Sequence, residues 1–330
     1  MLRTPVRFWA LVLLLSSACS SSACSTTGAG KADSAPAPAP PSSEDGGALS
    51  EGGSATAPDG PGPLDAAPLG PANLRIMAAN TTSGASQSYD PGEGIRIFQG
   101  LKPDVVLLQE FNYGTSSDAD ARRMVDLAFG TGFSYFRETG AQIPNGIVSR
   151  FPIAESGTWT DPAVSNRGFA YAKITLPGAR ALWAVSLHLL TSSATDRDRE
   201  AAAIVAQVKS IVPEADFLVV GGDFNTSSRA EQCIGTLAQI VVTEGPFPDD
   251  GHANDNTSGP RTKPHDWLLA DGDLAARRVP TAIGQNQFPA GLVFDSRVYA
   301  PLLDVAPVQV GDCAAPGMQH MAVVRDFSIL

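Results

Sequence analysis

Short apolar runs that stop or start at a polar side chain recur along the chain, at residues 74–80, 104–110, 146–149, 169–174, 182–188, 217–223, 266–269 and 320–324. Most have no polar face, which is the pattern of strands covered on both sides. Runs ending at Asn80, Glu110, His188 and Asp223, and runs beginning at Asp266 and His320, would deliver those groups to a sheet edge. Between the runs, helical spacing appears. Residues 196–212 place Ala201, Ile204, Val208 and Ile211 on one stripe, with Asp196 or Asp198 near the N-terminus. Residues 118–129, and 227–240 with serine caps, also read as helices. Strands alternating with helices, with several direct strand-to-strand steps, predict an α/β layered sandwich.

The first fifth of the chain does not share this pattern. Residues 1–24 carry Arg3 and Arg7, an apolar run at 8–15 and then small residues. They read as a secretory signal, too short to span a bilayer in mature form. Cys19 follows Leu15, Ser16, Ser17 and Ala18, an order that resembles a bacterial lipoprotein signal, although Ser16 stands where an aliphatic residue is commoner. Cys24 is a weaker second anchor, and ordinary cleavage giving a soluble product is the alternative. Acyl chains add about 0.8 kcal/mol of membrane affinity per buried methylene, so a lipidated Cys19 would tether the protein by its N-terminus alone. Residues 25–72 are rich in Ala, Pro, Gly and Ser and form a disordered, semi-extended linker. The expected location is an outer-membrane or cell-surface lipoprotein, or a secreted protein.

Residues 73–330 remain as one catalytic-domain-sized body. Removing the leader and linker from the 23 basic and 34 acidic residues of the chain leaves 20 and 28, a net charge of −8. Tight electrostatic grip on a polyanion wants the opposite sign; a cluster of metal-binding carboxylates would explain part of the acidity. Cys233 and Cys313 could pair in an oxidising compartment, closing a loop for about 4 kcal/mol on the loop-entropy model, or remain as two buried thiols. The absence of CxxC and HExxH motifs and the count of only four histidines argue against a structural zinc site.

The chemistry-bearing groups are hard oxygen donors on separate strands: Glu110, Asp223 and Asn225 within Gly222-Asp223-Phe224-Asn225, and Asn80. Mg²⁺ takes a few such ligands and keeps several waters. Any one acid at a strand end is more often a solvated loop acid. The joint order of Asn80, Gln109-Glu110, His188, Asp223-Phe224-Asn225, Asp266 and His320, with Gly146 to Ile153 reading Gly, strand, Ser-Arg, Pro-Ile, resembles the endonuclease/exonuclease/phosphatase superfamily with its DNase I-like fold. The resemblance extends over residues 73–327.

That resemblance implies a four-layer sandwich of two packed mixed β-sheets flanked by helices, hydrolysing phosphate esters at one edge by in-line attack of water. It implies Glu110 as principal metal ligand assisted by Asn80, and Asp223 and Asn225 as the groups orienting water and phosphate. His320 would contact the scissile phosphate with Asp266 holding its tautomer, and His188 would be the second histidine of the DNase I and sphingomyelinase-like branches. Arg167 matches a phosphate-contacting arginine, a surface arginine being the alternative. The implied cofactor is Mg²⁺ or Mn²⁺, with Ca²⁺ possible. One departure concerns the position before His320, where the family usually has aspartate and this chain has Gln319. Gln319 carries no charge, which leaves the metal count open between one and two and Gln319 itself a second-site or orienting residue. His265 and His252 are read as non-catalytic.

The expectation is an extracellular phosphodiesterase or nuclease that acts as a monomer. Nucleic acid is the first-choice substrate and partner, and the membrane is reached through the N-terminal lipid only. The alternatives are a sphingomyelinase-like phospholipid phosphodiesterase, a small-molecule phosphatase or, in another class, a binding protein that has kept the fold and lost turnover.

Overall fold

Alternate residues along each central strand enter different cores, and this period of two builds the architecture. The computed structural model describes residues 73–83, 92–178 and 180–329. The expected signal, Cys19 and the linker at 25–72 lie outside the described residues. In chain order the elements are β1 Asn73–Asn80, α1 Glu93–Leu101, β2 Val105–Gln109, α2 Asp118–Phe129, β3 Ser134–Arg137, β4 Gly146–Ser149, β5 Ile153–Trp159, β6 Phe169–Ile174, β7 Leu182–His188 and α3 Ala194–Ile211. They continue with β8 Phe217–Asp223, α4 Gln232–Leu237, β9 Asp266–Ala270, α5 Gly272–Ala275, β10 Arg278–Val279, β11 Thr281–Ile283, β12 Asn286–Phe288, β13 Leu292–Phe294 and β14 Ala322–Ser328.

Two mixed sheets result. One runs β10-β14-β1-β2-β4-β3 with β13 also on β14; the other runs β5-β6-β7-β8-β9. β1 and β2 are parallel in the first and β7 and β8 are parallel in the second, while their other pairs are antiparallel. Leu74, Ile76 and Ala78 of β1, Val323 and Phe327 of β14, and Phe217 and Val219 of β8 belong to the core between the sheets. Their neighbours turn outward. Met77, Ala79 and Val324 pack with α1 and α2, and Leu218 and Val220 pack with α3 and α4. This is the four-layer, DNase I-like sandwich that the resemblance implied. Side chains such as Phe327 and Leu107, with no exposed surface, each contribute about 1.5–3 kcal/mol by burial.

The helices differ in detail from the expected ones. Residues 118–129 form α2 with Ser117 as its N-cap. α3 starts two residues earlier than its periodicity suggests, because the Ser193 side chain accepts from the Asp196 N–H. Its buried face holds Ala201, Ile204 and Val208 as expected, but Ile211 is exposed. The helix expected at 227–240 is only α4. The Glu231 side chain turns back to the Ser227 N–H at 2.5 Å and to Arg197 at 2.6 Å, which holds residues 227–231 as a loop.

The pairing of Cys233 with Cys313 is corrected by the layering. Both thiols are free and buried, Cys233 in the core beneath α3 and α4 and Cys313 in the core beneath α1. The two sheets lie between them. A disulfide requires Cα atoms within about 7 Å.

Candidate active site

Three polar strand positions stand in one register. On parallel strands β7 and β8 His188 is the partner of Asp223, and on antiparallel β8 and β9 Asp223 is the partner of Asp266. Gly222 makes this possible. Its φ is +139°, and a Cβ there would lie 2.1 Å from the carbonyl oxygen of Leu187, so a side chain would separate β7 from β8.

From the other sheet, Asn80 pairs with Gln109 at the ends of β1 and β2, and Glu110 follows in a left-handed conformation at φ +55°. Non-glycine residues adopt that region at a cost and need local support. The carbonyl of Glu110 receives it from the Thr81 hydroxyl at 2.6 Å and from the Ser83 hydroxyl. Asn80 joins the sheets: its Nδ2 donates to Glu110 Oε1 at 3.2 Å and to Asp223 Oδ2 at 3.0 Å, while its Oδ1 accepts from the Thr82 N–H. Asn80 therefore faces the carboxylates as a donor. The expected metal-ligand role, which needs the oxygen, is not the one this amide plays here.

His320, just before β14, reaches the same place. Its Nδ1 lies 3.0 Å from Asp266 Oδ2 and its Nε2 lies 3.5 Å from Asp223 Oδ2. His188 places Nε2 3.3 Å from Asp223 Oδ2 and Nδ1 3.9 Å from Glu110 Oε1. Asn225, left-handed at φ +52°, donates from Nδ2 to Leu189 O at 2.9 Å and to Asp223 Oδ2 at 3.3 Å. Four nitrogens, from Asn80, Asn225, His188 and His320, thus lie within 3.5 Å of one carboxylate oxygen. That exceeds its two lone pairs.

The two buried imidazoles are driven in opposite directions. Burial pushes His188 down to about 3 against the attraction of Asp223, so it is neutral. Burial also disfavours charge on His320, but Asp266 and then Asp223 outweigh it and raise the group to about 10, so it is an imidazolium.

Glu110, His188, Asp223, Asn225, Asp266, His320 and Asn80 therefore meet at one rim. Arg167 does not lie on the surface. It is buried and donates through Nε to His188 O at 2.6 Å, through Nη2 to Leu189 O and through Nη1 to Asn166 Oδ1. It braces the backbone that carries His188; the expected phosphate contact is not among its bonds. Gln319 is exposed and, among the described residues, bonds only through its carbonyl, to the Gly259 N–H. His252 is exposed, and His265 turns Nδ1 to Thr226 O at 3.2 Å with its ring centre 6.0 Å from that of His320.

Sequence reasoning gave no role to the groups that hold this rim in place. Gln109 Nε2 donates to the Ser186 hydroxyl, which donates to Leu108 O, tying the sheets behind the site. Glu200 accepts the Leu190 N–H at 2.9 Å, and Arg197 donates to Leu190 O and Thr191 O. The sequence signal for Gln109 and Ser186 was a polar residue inside an apolar strand, and for Arg197 and Glu200 a charged residue on the buried stripe of α3.

A family model described as endonuclease/exonuclease/phosphatase matches residues 88–286, more than half of the chain. The chain belongs to the endonuclease/exonuclease/phosphatase family. Its members are phosphoesterase hydrolases that generally use divalent metals. The fold is shared with an endonuclease/exonuclease/phosphatase from Bacteroides vulgatus at 15% identity and TM-score 0.55, covering 78% of this chain and 100% of that one. It is shared with truncated Caenorhabditis elegans TDP2 at 14% identity and TM-score 0.52, covering 78% and 98%. A family protein from Leptotrichia buccalis aligns at 12% identity and TM-score 0.52, covering 78% and 100%. No curated protein matches the chain significantly.

Proposed function

We propose that this chain is a divalent-metal-dependent phosphodiesterase, exported and tethered through Cys19, with nucleic acid as the first substrate to test. The observation that carries the reading is the convergence of four nitrogens on Asp223 Oδ2, since donors in excess of one oxygen's lone pairs can be shared with the oxygens of a phosphate.

The residues present fit a hard cation. Carboxylates from separate strands, Glu110 and Asp223, share one Asn80 amide, and Asp266 brings a third carboxylate oxygen to within 4.8 Å of Asp223. Glu110 would hold the ion with Asp223 beside it, and the ion would neutralise charge on the non-bridging oxygens. Asp223 accepts a proton from water and orients it toward phosphorus. His320, held as the imidazolium by Asp266, donates to a phosphate oxygen as charge develops there. Neutral His188 and the Nδ2 of Asn225 donate to the remaining oxygens without adding charge. Arg167 and Glu200 keep the His188 segment in place.

Full-length protein with Mg²⁺, Mn²⁺, Ca²⁺ or EDTA, assayed on plasmid DNA, RNA, bis-nitrophenyl phosphate and sphingomyelin, separates the substrate classes. Metal-dependent cleavage of DNA or RNA supports the nuclease reading. Turnover of sphingomyelin alone would move the substrate to a lipid, and hydrolysis of none of the four would leave the fold without the activity.

A further inference from the structure

Two buried carboxyl groups meet beside the segment that carries His188, with too few donors between them. Glu200, on the buried face of α3, has no exposed surface and accepts the Leu190 N–H at 2.9 Å. It bonds to the Asp161 carboxyl, which is 4% exposed and lies in the loop from β5 to β6. Asp161 Oδ1 accepts the N–H groups of Ala163 and Val164 at 2.7 and 3.2 Å. Among the described residues no N–H or hydroxyl reaches its buried Oδ2. Two carboxylates in contact inside a protein do not both ionise. One proton held between them removes a charge and supplies the donor that Oδ2 lacks.

The charges around the pair do not replace that proton. Arg167 is the cation that faces both carboxyls, and it also faces Asp223 and Glu110. Among the described residues its bonds go to His188 O, Leu189 O and Asn166 Oδ1, and to neither carboxyl of the pair. Glu138 adds a third buried carboxyl, taken up by the Asn145 and Gly168 N–H groups. On α3 itself, Arg197 is matched by Glu231 at 2.6 Å and Arg199 by Asp196 at 3.0 Å. Burial, opposed by the Leu190 N–H and reinforced by Asp161, raises the Glu200 carboxyl well above the ordinary carboxylate range.

The pair reaches the rim through the chain. Asp161 and Arg167 share the short loop between Trp159 and Phe169, so a displacement of Asp161 is passed to Arg167 and from there to the carbonyls of His188 and Leu189. Glu200 is fixed inside an 18-residue helix, which leaves the loop as the side that yields. We propose that Asp161 and Glu200 are positioning residues for His188, acting as one acid pair: with a shared proton the loop seats Arg167 against the His188 and Leu189 carbonyls, and without it the two carboxylates push the loop from α3. The consequence for turnover, which rests on His188 donating to the substrate phosphate, is a reversible loss of kcat at alkaline pH with KM little changed.

The full-length wild type, Glu200→Gln and Asp161→Asn are compared between about pH 6 and about pH 9. Either amide keeps the shape and donates permanently where the shared proton stood. With bis-nitrophenyl phosphate and Mg²⁺, kcat of the wild type relative to either variant should fall about tenfold per pH unit above the midpoint, as loss of one proton requires, and recover when pH is lowered. Nuclear magnetic resonance reads the same event without turnover. The Leu190 amide and the His188 ring, which is itself neutral over this range, should shift with one midpoint in the wild type, and that shared transition should be absent from Glu200→Gln. Kcat ratios that stay flat in a protein that hydrolyses the substrate, a Leu190 amide that does not titrate, or a His188 ring that ignores it would each overturn the proposal. Coupled shifts in a protein that hydrolyses nothing would uphold the pair and overturn only the phosphodiesterase reading.

Discussion

His188 and His320 present their Nε2 atoms to the same oxygen, Asp223 Oδ2, at 3.3 and 3.5 Å. The pair is chemically asymmetric because the other nitrogen of His320 lies at hydrogen-bond distance from a second carboxylate, Asp266 at 3.0 Å, whereas that of His188 stands 3.9 Å from Glu110. One imidazole is therefore kept neutral and the other charged within a single buried cluster. Positioned acids and bases of this kind contribute roughly 10²–10⁴ in rate.

Asp266→Asn removes the charge that holds His320 as the imidazolium while keeping the shape. We expect kcat to fall about 100-fold or more at neutral pH, with KM little changed. Steady-state kinetics at pH 7 check this; a kcat equal to wild type would show that Asp266 does not act through His320.

Glu110→Gln keeps the contact with Asn80 and removes the ligand charge. The variant should need far more Mg²⁺ for half-maximal activity than wild type does, or show no metal response at all. Overlapping Mg²⁺ titrations of the two proteins would remove Glu110 from the metal site.

Gly222→Ala puts a methyl group against Leu187 O in a conformation that side chains avoid. We expect a loss of at least about 1–3 kcal/mol, read as a lower melting temperature, since strain at a positive φ alone costs that much. Unchanged melting would mean that β7 and β8 are not held in this register.

Much of this arrangement was legible in the sequence because hydrophobic runs with abrupt polar ends are the direct imprint of strands that finish at a rim. β1, β2, β7, β8 and β9 were all readable that way, and Asp223 in its Gly-Gly-Asp-Phe-Asn setting marked where the rim lies. The strands β10 to β13 were not readable, being two or three residues long and too short for a period, and β3 is half-buried along its length with no apolar run. β5, with exposed residues along much of its length, is an edge strand whose apolar signal is weak. Within the site, residue identity showed which groups are present but not which atom faces which. Asn80 turns its nitrogen to the carboxylates because the Thr82 N–H claims its oxygen. Arg167 is taken up by the carbonyls of His188 and Leu189, which no spacing announces.

The Glu200 carboxyl, with no exposed surface, is raised to about 8 by burial and by its hydrogen bond with the Asp161 carboxyl. The folded state therefore keeps a proton that the unfolded chain, near 4.5, gives up. Stability from this group is complete below about pH 4.5, declines as pH rises, and stops declining above about 8. Glu200→Gln is neutral throughout and keeps the shape. Its melting temperature should match wild type near pH 5 and exceed it near pH 9; a difference between the two proteins that does not change with pH would rule out the shared proton.

Metal-dependent attack on a phosphodiester at Asp223 is the central claim. Its most direct measurement is the initial rate of bis-nitrophenyl phosphate hydrolysis by EDTA-treated full-length protein as Mg²⁺ is added back, with Asp223→Asn measured in parallel at equal folded concentration. The rate should rise from background with Mg²⁺ in the wild type and be roughly 10²–10³-fold lower in the variant. A rate that is the same in EDTA and in Mg²⁺, or a variant as fast as wild type, would contradict it.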